Sequence, residues 1–106
     1  MTKQALLEKL EVKVGKTLRF INEVLFPRND VNRDILDKYK VVLNNYLKSK
    51  NIDTLHQLKD LHYRPTPEGS QTDYTEGTGL AFDGKHTTLS DLLMEIEDLI
   101  VIIRKN

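Results

Sequence analysis

Leu89, Leu92, Ile96, Leu99 and Ile103 recur at steps of three and four residues, which places them on one face of an α-helix. Leu93 and Ile100 broaden that face. The start of the chain repeats the pattern: Leu7, Leu10, Val14, Thr17, Ile21 and Val24 form a stripe, widened by Leu6, Leu18 and Leu25. A helix with one apolar face must bury it against another element. Two such stripes at opposite ends of one chain therefore dictate helix-on-helix packing. Both seams are only two to three heptads long, which suits a bundle better than an extended coiled coil.

Between them, Val31, Ile35, Tyr39, Val42 and Tyr46, joined by Leu36, Leu43 and Leu47, predict another helix, with Asn29, Asp30 and Asn32 as N-cap types ahead of it. Pro27 ends the helix before it. A shorter helix follows, capped by Asp53, with Leu55, Leu58 and Leu61 at three-residue spacing. Pro65 lies just beyond its end. Thr88 and Asp91 have capping-box spacing before the last helix. The expected fold is all-α: a small bundle in a single domain, 1–106, with helices at about 2–25, 31–48, 53–62 and 88–104.

The exception is the stretch 63–87. Residues 62–88 hold four of the chain's five glycines and two of its three prolines. Loops of that length in a compact domain do work or are disordered. Tyr63, Tyr74, Leu80 and Phe82 are residues that find somewhere to pack. "EGTG" and "DG" signal turns, and "TDYT" and "LAF" have strand composition, which leaves room for a small β-hairpin. Gly15, inside the first helix, reads either as a tolerated cost or as a close backbone approach.

Composition limits the function. The 106 residues carry no cysteine, so thiolate chemistry is excluded and a reducing compartment fits. The N-terminus lacks the apolar core of a signal peptide, and "LIVII" (99–103) is far too short to span a bilayer. A soluble, cytoplasmic protein is expected. Sixteen basic and sixteen acidic side chains cancel. Their distribution does not: residues 1–50 carry a surplus of five positive charges and residues 51–106 a surplus of five negative ones.

Catalytic patterns are sparse. His56, Leu58 and Lys59 match part of a phosphotransfer pattern, H-x-L-K-G, but Asp60 replaces the glycine with a charge of the wrong sign. Glu8 with Glu11 and Glu95 with Asp98 have the spacing of magnesium-holding carboxylate pairs in helical nucleotide hydrolases. They lie at opposite ends of the chain, and the first is embedded in lysines. His56, His62 and His86 have no ligand spacing among them. A metal-dependent nucleotide hydrolase or a phosphotransfer protein is thus the least supported reading, and no metal or cofactor is expected.

The best-supported reading is a non-catalytic protein–protein interaction module, on the scale of small regulators, inhibitors and immunity proteins of bacteria and phage. Its expected contact surface comprises Tyr74, Leu80 and Phe82 with Asp91, Glu95 and Asp98. The alternative is a nucleic-acid-binding regulator using Lys9, Lys13, Lys16 and Arg19, which share a face of the first helix. The apolar end of the last helix (Leu99, Ile100, Ile102 and Ile103) is read as a homodimer interface.

Overall fold

The computed structural model describes residues 2–28, 31–61 and 80–105. It is a small helical bundle with a two-stranded hairpin before the last helix. Helix α1 spans Lys3–Phe20 and is opened by Thr2, whose hydroxyl accepts from the Ala5 amide at 3.1 Å. Its buried face is Leu6, Leu10, Val14, Thr17, Leu18 and Phe20. Thr17 sits in this apolar face because its hydroxyl donates to the Lys13 carbonyl at 2.8 Å. Gly15 has open space where a Cβ would stand, so it marks no close approach.

The helix runs on to Leu25 as a wider π-helical turn, Ile21–Leu25, closed by a bond from the Phe26 amide to the Ile21 carbonyl at 2.9 Å. Pro27, lacking an N–H, stops it. Arg33 then donates through Nη2 to the carbonyls of Phe26 and Arg28, both at 2.7 Å, satisfying acceptors that the helix end leaves over.

Helix α2, Arg33–Ser49, is capped by Asn32, whose side chain accepts from the Ile35 amide at 3.3 Å. It buries Leu36, Tyr39, Val42, Leu43 and Tyr46, and ends on Lys50 in the left-handed region. Lys50 also pairs through its ammonium with Glu11, which sets α2 antiparallel to α1.

The third helix differs from the expectation. Residues Ile52–Asp60 form a 3-10 helix, and Asn51 rather than Asp53 caps it, accepting from the Asp53 amide at 2.9 Å. The physical reason is legible in its leucines. At three residues per turn, Leu55, Leu58 and Leu61 eclipse one another and form one narrow apolar edge. The Tyr39 hydroxyl holds the far end, donating to the Leu61 carbonyl at 2.9 Å.

Strands β1 (Leu80–Phe82) and β2 (Lys85–Thr87) pair antiparallel, with Phe82 opposite Lys85. The connection is Asp83-Gly84 with φ of 50° and 84°. Two positive φ values give the tight turn whose twist matches a hairpin. "LAF" thus pairs with "KHT" directly across the turn; "TDYT" lies outside the described residues. Phe82 is 7% exposed and meets the Phe20 ring at 5.3 Å in an edge-to-face contact, which fastens the hairpin to α1.

Helix α3, Leu89–Lys105, starts at Thr88, whose hydroxyl accepts from the Asp91 amide at 3.0 Å. It buries Leu89, Leu92, Ile96, Ile100 and Ile103. The inward stripe follows the 3.6-residue period, so Ile100 takes the place expected of Leu99, which is half-buried. Lys13 pairs with Glu95 at 3.4 Å, and Arg19 reaches Asp83, so α3 runs antiparallel to α1. Among the described residues no helix is long and apolar enough to cross a membrane.

Candidate functional site

The 3-10 helix and α3 run antiparallel and are bridged by two ion pairs. Arg104 meets Asp53 at 2.8 Å near one end, and Lys59 meets Glu97 at 3.6 Å near the other. Between these pairs the two elements do not close. A groove of about 480 Å³ remains, floored by aliphatic side chains that include Leu58, Leu93, Ile96 and Ile100. The slender 3-10 helix leaves that space, because its leucines form a single edge and only Leu55 is fully buried. Tyr39 closes the base of the groove from α2.

The outer edge is formed by Met94 and Val101, which are 57% and 45% exposed. They lie seven residues apart, on the pole of α3 opposite Ile96 and Ile103. An amphipathic helix normally keeps that pole polar. The rim also carries charge in Lys59, Glu97 and Arg104, with His56 beside them.

Arg104 Nη2 lies 2.6 Å from His56 Nε2 as well as 2.8 Å from Asp53 Oδ1. A guanidinium has only donors, so Nε2 of His56 accepts and the ring proton sits on Nδ1. The nitrogen that a phosphotransfer histidine would expose is here engaged by a cation. A second, shallower depression of about 440 Å³ lies on the other flank of the 3-10 helix, with Val41 at its edge among Asp37, Lys38, Gln57 and Asp60.

The residues expected to form the contact surface separate. Tyr74 lies outside the described residues. Leu80 is half-buried against the core, while Phe82 is a core residue and so is withdrawn from any contact surface. Asp91 and Asp98 are exposed on α3, whereas Glu95 turns to Lys13 of α1. The expected self-association patch divides likewise. Ile100 and Ile103 are buried within the chain's own core, leaving Ile102 exposed and Leu99 half-exposed.

The basic stripe is partly neutralised by its own chain. Lys13 faces Glu95, and Arg19 faces both Glu23 and Asp83 at 3.1 Å. Hydrogen bonding first to Asp83 and then to Glu23 raises the Arg19 pKa further, so it stays charged throughout the ordinary range. Lys9 is exposed and Lys16 half-exposed.

Among the described residues no three His, Asp or Glu side chains gather as a metal site. Met94 and Val101 are the residues that sequence patterning passed over. Their signal was present as two apolar side chains at i and i+7 on the wrong side of a well-defined stripe. Comparison with protein-family models, curated proteins and solved structures finds no match for this chain.

Proposed function

We propose that this protein is a small non-catalytic binding module which recognises another protein through the face formed by the 3-10 helix and α3, acting as a regulator or inhibitor. The observation that carries this reading is the exposure of Met94 and Val101 beside an aliphatic groove. Single exposed apolar side chains are ordinary, but two of them continuous with an aliphatic floor make a patch, and such patches mark contact sites. A cytoplasmic setting is part of the proposal, on the strength of the cysteine-free sequence.

The test is a Met94→Glu/Val101→Glu double variant. Both side chains are exposed, so helicity and melting temperature are expected to stay close to those of the parent. Capture from extracts of the native host, quantified against the parent, is expected to lose a defined partner. A partner retained equally by both proteins contradicts the reading.

A further inference from the structure

Three side chains meet at the end of the groove where α3 finishes. Arg104 Nη2 stands 2.6 Å from His56 Nε2 and 2.8 Å from Asp53 Oδ1, and those two acceptors are 3.8 Å apart. Nη2 carries two hydrogens, so one nitrogen serves both acceptors. The arrangement holds only while the imidazole is neutral, because an imidazolium has two N–H donors and no acceptor. An imidazole is also the side chain that ordinarily changes charge between about pH 5 and 8.

The neighbouring charges leave that change unbuffered. On the same 3-10 helix, Lys59 is paired across the groove with Glu97 of α3 at 3.6 Å. Asp60, with Asp37 and Lys38 of α2, lines the opposite flank of that helix. Tyr39, the residue of α2 that lines the groove itself, spends its proton on the Leu61 carbonyl. Arg104 and Asp53 are thus the charges that bear most directly on the ring. Proton uptake replaces one donor shared by two acceptors with two cations beside one carboxylate.

We propose that His56, Asp53 and Arg104 form a pH-sensitive latch, in which the neutral ring holds Arg104 at the end of the groove and proton uptake on Nε2 releases it. His56 and Arg104 both line the groove, so their parting reshapes that end of it. The latch is a property of the chain alone and goes beyond the binding role above. Either can fail and leave the other standing.

The test follows the whole protein by NMR, with no partner added, from about pH 8 down to about 5.5. Long-range proton–nitrogen spectra locate the ring proton, the His56 signals being those absent from His56→Gln. At the high-pH end the proton is expected on Nδ1, with Nε2 bare. As pH falls, methyl signals of Leu55, Ile100 and Val101 are expected to move with the same midpoint as the His56 ring. Those of Val12, outside the groove, are expected to stay in place.

His56→Gln is the deciding variant. A glutamine carbonyl can accept from Nη2 as Nε2 does, and it does not titrate. Its groove methyls are expected to keep the parent's high-pH positions throughout, with the pH-dependent movement lost. A proton found on Nε2 at the high-pH end overturns the proposal, since that nitrogen could not then accept from Arg104. Groove methyls that stay fixed while the ring titrates overturn it, and so does movement that persists in His56→Gln.

Discussion

Arg19 and Asp83, 64 residues apart in sequence, are joined by two hydrogen bonds: Nη2 to Oδ1 at 3.1 Å and Nη1 to Oδ2 at 3.4 Å. The same guanidinium lies over the Phe82 ring, 5.1 Å from its centroid. The hairpin is thereby held to α1 by a buried aromatic ring beneath and an exposed ion pair above, and the two holds differ in weight. Phe82→Ala is expected to lower unfolding free energy by about 3 kcal/mol, the usual cost of emptying a buried phenylalanine site. Asp83→Asn keeps a residue that tolerates positive φ and is expected to change stability far less. Urea denaturation of both variants checks this; an equal loss in the two would show that the ring is not the anchor.

Glycine serves opposite ends at two positions. Gly15 sits mid-helix with room for a Cβ, so Gly15→Ala is expected to stabilise the protein by about 0.5–1 kcal/mol. Gly84 has φ of 84° in the hairpin turn, and Gly84→Ala is expected to destabilise by about 1 kcal/mol or more. Thermal melts of the two variants should move in opposite directions. A drop for Gly15→Ala would mean that α1 is packed more tightly there than described.

Tyr46 predicts an alkaline limit. Burial pushes its phenol above the ordinary 10.0, and the nearby charge of Glu11 adds to the shift. The fold therefore favours the neutral phenol over the phenolate. Stability from this source is whole below pH 10, and it falls as pH rises beyond, because the unfolded chain gives up the proton first. Urea midpoints are expected to drop as pH rises above about 10, and Tyr46→Phe to show a shallower drop. Parallel curves would contradict the assignment.

Helix positions were legible wherever an apolar period was sustained. The stripe of Leu92, Ile96 and Ile103 gave α3 its inward face, and Thr88 with Asp91 gave its start. Asp83-Gly84 was legible as a turn, because two adjacent positive φ values suit few other pairs, but its second strand, "KHT", was not.

Local pattern ran out where the decision was not local. The leucines of the 3-10 helix fit either three residues per turn or a loose α-helical edge. Nothing near them in sequence reports the Tyr39 hydroxyl, 22 residues back from Leu61, that holds its end. Phe82 looked like a loop aromatic because Phe20, the ring it packs on, lies far away in the chain. The groove itself forms only where the 3-10 helix lies beside α3, and the pairings across it, Asp53 with Arg104 and Lys59 with Glu97, are ones that no spacing foretells.

The binding face is tested most directly by site-specific photo-crosslinking. A benzophenone amino acid replaces Met94 in one protein and Val12 in another. Val12 is 69% exposed on α1 and lies outside the groove. In the native host, position 94 is expected to yield a discrete adduct with one partner protein and position 12 to yield none. Adducts at 12 but not at 94, or no adduct at 94 under conditions where the protein is active, would contradict a binding face built from the 3-10 helix and α3.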